Sequence, residues 1–357
     1  MRRLLNSTER ATNFTVLEKL APSAFRRKLL AWYSANARDL PWRKSRDPYR
    51  IWLSEIMLQQ TRVAAVIGYY HEFLRRFPAI EKLAAAREAG VLAAWSGLGY
   101  YRRARTLHAA AKVIVREHAG KFPTTAARLR DLPGIGRYTA AAIASIAFRE
   151  PAAAVDGNVE RVLQRISGER ISGEQLWRAA NDLLDPQHPG DFNQAMMELG
   201  ATVCTPRTPA CLACPVVGLC ATRGELPSGE KSPAQKKRQI DYALRCRGQK
   251  EIPEKVFLVQ RPRNASLMAG MWELPEITGK NGAAKPALTL RHSITVTDYT
   301  VRVWRDHRQE PGNGKWFSVG KLNAVALTGL ARKILRHSGY FQGATVPAKL
   351  RTSTKMK

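Results

Sequence analysis

The chain has 357 residues, more than one core comfortably holds, and 45% of them are hydrophobic, which excludes an intrinsically disordered polymer. No apolar run reaches the length of a membrane span, so no membrane partner is expected. Lysine and arginine number 58 against 29 acidic residues, a net charge of +29. An excess of that size points to a polyanionic partner, nucleic acid first, because phosphate neutralisation carries most sequence-independent binding. The alternative is a basic surface with unfolded basic segments, Lys236 to Arg238 and residues 349–357, but these hold only a small part of the excess.

In chain order, apolar residues recur at helical spacing over residues 23–37, 54–76, 86–96, 101–118, 137–148, 158–165 and 173–184. Leu40-Pro41, Phe122-Pro123 and Pro189-Gly190 punctuate the gaps, and nothing before residue 204 reads as a strand. From residue 223 the composition turns to Gly, Pro, Ser, Glu and Lys, a linker pattern. Strand-like stretches follow at residues 242–247, 256–260, 295–305 and 314–319, and a last helix at 327–337. The expected organisation is an extension over residues 1–20, an all-α domain over 21–222, a linker over 223–238, a smaller α+β domain over 239–343 and a disordered basic tail over 344–357.

Cys204, Cys211, Cys214 and Cys220 are separated by six, two and five residues. Four thiolates so close together suit an iron–sulfur cluster. Zinc is the competing metal, although structural zinc sites usually show two separated Cys-x-x-Cys pairs and here there is one. Disulfides would need a secreted chain. No signal-type segment opens the sequence, and Cys246 makes the cysteine total odd. Cys246 is expected to be a buried, unreactive thiol.

Leu132-Pro133-Gly134-Ile135-Gly136-Arg137-Tyr138-Thr139-Ala140 lies between helical stretches. Gly134 and Gly136 permit a tight turn whose amides, beside a helix N-terminus, favour a phosphate. A plain corner between helices is the alternative reading.

Together with Val155-Asp156-Gly157-Asn158-Val159 and the cysteine loop, this element resembles the helix–hairpin–helix DNA glycosylase superfamily with an iron–sulfur cluster. Leu40-Pro41-Trp42-Arg43, Ser54-Glu55-Ile56-Met57-Leu58-Gln59-Gln60-Thr61 and Gly97-Leu98-Gly99-Tyr100-Tyr101 narrow the resemblance to adenine DNA glycosylases of the MutY type. The resemblance implies a multidomain protein. It has an all-α helix–hairpin–helix glycosylase domain with a [4Fe-4S] loop on Cys204, Cys211, Cys214 and Cys220, then a smaller Nudix-like α+β domain. The implied reaction is removal of adenine opposite 8-oxoguanine or guanine in double-stranded DNA, by a monomer in the cytoplasm at the nucleoid.

Cleaving a purine N-glycosidic bond requires protonation of the base and an anion beside the cationic sugar. The resemblance gives these roles to Glu55 and Asp156. Glu55 stands among Ile51, Trp52, Ile56, Met57 and Leu58, company that raises a carboxyl pKa; an ordinary solvated glutamate is the alternative. Asp156 opens a helix, where a carboxylate stays ionised, although a simple helix cap explains it equally. Tyr138 and Asn158 resemble the family residues that support Asp156. Relatives that also cut the strand carry a lysine where this chain has Tyr138, so a monofunctional glycosylase leaving an abasic site is expected. A bifunctional pyrimidine-lesion glycosylase and a non-catalytic DNA-binding protein on the same scaffold are the rival readings.

By the same resemblance Gln60 and Tyr100 insert around the orphaned base, flanked by Thr61 and Leu98. Arg38, Leu40, Trp42, Gly134 and Gly136 are expected at the DNA, with Arg43, Arg62 and Arg137 as further phosphate or base contacts; for each of the four arginines a solvated surface charge is the alternative reading. Arg261-Pro262 and Gly270-Met271-Trp272-Glu273-Leu274-Pro275 carry the Nudix-like resemblance, without the acidic cluster that holds magnesium in Nudix hydrolases. The nearest match to the family's lesion-contacting Phe-Ser-His turn is His292-Ser293-Ile294-Thr295-Val296, with Thr295 supplying the hydroxyl.

Overall fold

The computed structural model describes residues 21–223, 236–249, 252–277, 285–294, 297–305 and 313–340. The expected extension and tail, most of the expected linker, and Thr295 lie outside them. The chain forms two compact units. One takes Met1–Tyr70, Ala79–Glu81 and Ala109–Glu230; the other takes His71–Pro78, Lys82–His108 and Lys231–Lys357. Residues 82–108, expected within the helical domain, therefore group with the later part of the chain.

The helices are α1 (Pro22–Asn36), α2 (Pro48–Leu58), α3 (Val63–Arg76), α4 (Ile80–Ala84), α5 (Glu88–Trp95), α6 (Arg102–His118), α7 (Ala126–Leu129), α8 (Arg137–Phe148), α9 (Gly157–Ser167), α10 (Gly173–Leu183), α11 (Pro189–Thr202) and α12 (Gly329–His337). The single helix expected over residues 54–76 is in fact two. Gln60 has φ of +55° and ends α2 in a tight turn, because the i→i+4 ladder cannot continue through a left-handed residue. α2 also starts earlier, at Pro48, where the Asp47 side chain accepts from the Tyr49 amide at 2.8 Å. Asp-Pro is a start signal: the acid caps the free amides, and proline has none to leave unsatisfied.

α11, like the short α4 and α7, is a helix the periodicity did not reveal. Pro189-Gly190 reads as a break but serves as the first turn. Its glycines set how closely it packs. A Cβ on Gly190 would lie 2.8 Å from the Ser145 carbonyl oxygen of α8. One on Gly200 would lie 2.6 Å from Asn158 Cβ and 2.9 Å from the Asn158 carbonyl oxygen of α9. Between them Asn193 is buried and satisfied: its amide donates to Ser145 Oγ at 2.9 Å and Ala152 O at 2.8 Å and accepts from Ala154 N at 3.0 Å. The core of this unit gathers Phe25 and Leu29 of α1, Val162, Leu163 and Ile166 of α9, and Phe192, Met196 and Leu199 of α11.

The later residues form β1 (Lys236–Leu244), β2 (Cys246–Gln249), β3 (Ile252–Gln260), β4 (Trp272–Glu273), β5 (Leu288–Ile294), β6 (Thr297–Arg305) and β7 (Gly314–Ser318). One sheet has the order β1-β6-β5, with β1 parallel and β5 antiparallel to β6. In the other, β3 pairs with β2, β4 and β7, all antiparallel. Lys236 to Arg238, expected in the linker and read as unfolded charge, belong to β1 and pair with Thr297 to Tyr299. β5 went unread as a strand, and His292 to Ile294 lie in it, opposite Thr297 to Tyr299. Leu244, Leu258, Leu290, Val301 and Val303 pack with Leu330, Ile334 and Leu335 of α12.

Gly200→Ala is expected to lower stability by roughly 1–3 kcal/mol, since backbone and not a flexible tip meets the new methyl. Gly68→Ala, on α3 with open space around its Cβ position, is expected to stabilise by about 0.5–1 kcal/mol. Urea unfolding of the two variants checks the contrast.

Candidate active site

Glu55 is in the interior of α2 with 6% of its surface exposed, and Ile51, Trp52, Ile56 and Met57 around it are buried. The Tyr138 hydroxyl, from the first turn of α8, donates to Glu55 Oε2 at 2.5 Å and lies 3.2 Å from Met197 Sδ of α11. Burial pushes the Glu55 carboxyl up to about 7. The Tyr138 hydrogen bond and the charge of Arg43 oppose the rise, and the charge of Asp156 adds to it. Tyr138 is held well above the usual phenol range, by burial first and then by the charges of Glu55 and Asp156. Glu55, Tyr138 and Asp156 thus come from α2, α8 and the start of α9 into electrostatic reach of one another.

Asp156 is the cap of α9. Its Oδ1 accepts from Asn158 N at 2.9 Å and Val159 N at 2.8 Å, and its Oδ2 from Asn158 Nδ2 at 2.8 Å. Three N–H groups therefore compensate negative charge on this carboxylate. Asn158 Oδ1 in turn accepts from Arg161 Nη2, which also donates to Gly200 O, while Arg161 Nε donates to Cys204 O, all within 2.7–2.8 Å.

Glu198, on α11, is a buried acid that sequence reasoning missed. It accepts from Arg38 N, Nε and Nη2 and from Arg43 Nη2 at 2.6–3.1 Å. Burial would raise its pKa, but the hydrogen bonds from the two arginines outweigh that and bring it down to about 2. No spacing rule pairs position 198 with positions 38 and 43. The only cue was a lone acid in an apolar stretch. Arg38 and Arg43 are thus held by protein, and Arg43 also stacks 5.3 Å from the centre of the Tyr33 ring.

The remaining expected contacts divide by exposure. Leu40 and Trp42 are buried, Trp42 meeting Tyr70 edge-on at 5.5 Å. Gln60 is exposed, and the Thr61 hydroxyl donates to Gln59 O at 3.3 Å. Gly134 takes φ of +75°, which the turn requires, and Gly136 caps α8 with open space at its Cβ position. Arg137 pairs with Glu174 and stacks on Trp177. Leu98 and Tyr100, in the other unit, differ: Leu98 is buried and Tyr100 is 50% exposed.

Cys204, Cys211, Cys214 and Cys220 all line one cavity with Val162, Ile166, Leu199 and Val216. The buried Arg165 donates to Cys204 Sγ at 3.3 Å and to the carbonyls of Thr205 and Pro206. Among the described residues no three His, Cys, Asp or Glu side chains converge on a single metal ion. Four thiols around a shared apolar space with a cation beside them fit a larger, anionic group.

Residues 53–186 match the HhH-GPD superfamily of base excision DNA repair proteins. An adenine DNA glycosylase of Schizosaccharomyces pombe is 35% identical over 324 residues, 72% of this chain and 70% of that protein. One from Rattus norvegicus is 41% identical over 314 residues, 72% of this chain and 61% of that protein. The chain belongs to the adenine DNA glycosylase family. It spans about three fifths of the rat relative's length. The structure of a thermostable thymine-DNA glycosylase is also similar, with a TM-score of 0.54 and 31% identity over 58% of this chain and 97% of that one. Within the family match fall Glu55, Tyr138, Asp156 and Asn158.

Glu55 has a folded pKa raised from 4.5 to about 7. Its contribution to stability is therefore complete below about pH 4.5 and is lost as pH rises through 7, on the order of 3 kcal/mol in all. The stability difference between the unmodified protein and Glu55→Gln, from denaturant titrations at pH 4.5 to 8, is expected to shift by that amount in favour of the glutamine variant.

Proposed function

We propose that the protein is a monofunctional base-excision enzyme that removes adenine mispaired with 8-oxoguanine or guanine in duplex DNA and leaves an abasic site. The observation that carries this reading is the buried Glu55 carboxyl, hydrogen-bonded to Tyr138 and in electrostatic reach of Asp156. With its pKa raised to about 7, Glu55 is protonated in a large share of molecules at neutrality, and in that form it donates its proton to a ring nitrogen of the extruded adenine. As the C–N bond breaks, the base takes the bonding electrons and positive charge develops on the sugar. Asp156 offsets that charge. Water then adds to the sugar carbon and gives a proton to the Glu55 carboxylate, which restores the acid. Tyr138 holds Glu55 in place and offers no amine for a Schiff base.

The same reading assigns DNA as the partner of the basic surface, a monomer as the working form and the nucleoid as its place. Cys204, Cys211, Cys214 and Cys220 would hold a [4Fe-4S] cluster, which supplies cross-linking of the 204–220 loop. The sheets and α12 are read as a Nudix-like domain that senses the lesion without hydrolysing nucleotides.

Single-turnover assays on adenine opposite 8-oxoguanine, guanine or thymine test the reading. Strand breaks are expected only after alkali, and only opposite the first two. Glu55→Gln is expected to lose about 10²–10⁴-fold in rate while duplex affinity is retained. In the unmodified protein the rate should decline above pH 7 as Glu55 loses its proton. High-yield borohydride trapping of the unmodified protein on DNA would refute the monofunctional assignment. Iron and acid-labile sulfide in equal amounts, both lost in Cys211→Ser, are expected; zinc in their place would overturn the cluster.

A further inference from the structure

Tyr100 combines three features that seldom occur together. It is a large aromatic with 50% exposure. Its φ is +49°, and it follows two glycines with positive φ, Gly97 at +108° and Gly99 at +75°. A residue with a side chain is strained there, and the conformation persists only where the surroundings enforce it.

The backbone around it is fixed by hydrogen bonds. Gly99 O accepts from Trp95 Nε1 at 3.2 Å and Arg103 Nη2 at 3.3 Å, and Tyr100 O accepts from Arg103 N at 2.9 Å. The Arg103 guanidinium stacks 5.2 Å from the Tyr100 ring. The turn is then fastened at both ends to a single atom. Ser96 Oγ, before the turn, donates to Leu327 O at 2.7 Å; Tyr101 OH, after it, donates to the same carbonyl at 3.2 Å. Ser96 is 1% and Tyr101 4% exposed. Ser96 Oγ also accepts from Arg332 Nε of α12 at 2.9 Å, and Tyr101 OH accepts from Gly97 N at 3.2 Å. Leu327 is in turn laced to β4, since Trp272 N donates to Ala326 O and Thr328 N to Trp272 O, both at 2.9 Å.

We propose that Ser96, Tyr101 and Arg332 are positioning residues that hold Tyr100 as a preset wedge for the duplex, by pinning its turn to the Leu327 carbonyl and thus to the sheet that contains β4. The proposal rests on the reading of the protein as a base-extruding glycosylase. A preset wedge loses little conformational freedom on entering the stack, so more of its stacking energy goes to opening the duplex. A wedge on a loose turn would be ordered only at the moment of binding.

The test is a set of double-variant cycles, because residues that act through one another fail to add. Tyr101→Phe and Ser96→Ala each remove one hydroxyl and keep the packing. Each is expected to lower the single-turnover adenine excision rate roughly 2- to 12-fold, the worth of one net hydrogen bond. Each is also expected to lower the fluorescence gain of 2-aminopurine placed at the target position. In a Tyr100→Ala background neither should have further effect on either signal. Full additivity with Tyr100→Ala in both signals overturns the proposal, whatever happens to the melting temperature. If the unmodified protein removes no adenine, the functional reading fails separately. The cycles are then run on duplex affinity, where non-additivity supports the pin and additivity overturns it.

Discussion

A carboxyl group taken out of water must either keep its proton or find enough positive charge to release it, and the helical unit contains both outcomes. Glu55 is buried among apolar residues of α2 with one neutral donor, the Tyr138 hydroxyl, and its pKa climbs to about 7. Glu198 is buried as deeply but receives four N–H groups from Arg38 and Arg43, and its pKa falls to about 2. The first is a carboxyl that keeps its proton to higher pH than an exposed one. The second is a fixed anion that anchors the segment before α2. Glu198 receives both guanidinium groups, and the Arg43 charge lowers the Glu55 pKa without outweighing burial.

What was legible in the sequence was mostly local chemistry. The spacing of the four cysteines implied a metal-type loop; they line one cavity, although among the described residues no three such side chains converge on a single ion. The apolar neighbours of Glu55 implied a raised pKa before any distance was known. Asp156 read both as a helix cap and as an anion for the sugar, and its cap geometry is plain, with Oδ1 on the amides of Asn158 and Val159. The break at Gln60 was not legible, because a left-handed glutamine carries no local signal comparable to glycine or proline. α11 was hidden for the opposite reason. Its Pro189-Gly190 start looks like punctuation, and the value of Gly190 and Gly200 lies in contacts with α8 and α9, which no window of the sequence contains.

The later part of the chain was legible in class but less so in register. Strand composition marked β3 and β7, whereas β1 begins in a lysine-rich stretch whose strand character comes from its partner β6. Gly97 and Gly99 stood out in the sequence only through the family resemblance, and both take positive φ. That Ser96 and Tyr101 both end on the Leu327 carbonyl was beyond reach, since the partners are more than 200 residues apart and the acceptor is a main-chain atom that any residue type would provide.

The contact between Gly200 and Asn158 is backbone against backbone, so it has no rotamers to relax. Any side chain at position 200 would run into the Asn158 main chain. The spacing of the two helices at this crossing is therefore one that only glycine allows. Met197, beside the phenol, rides on one of them, and Asp156 rides on the other. Their separation is a matter of mechanical tolerance, limited at this crossing by the main chain of Asn158.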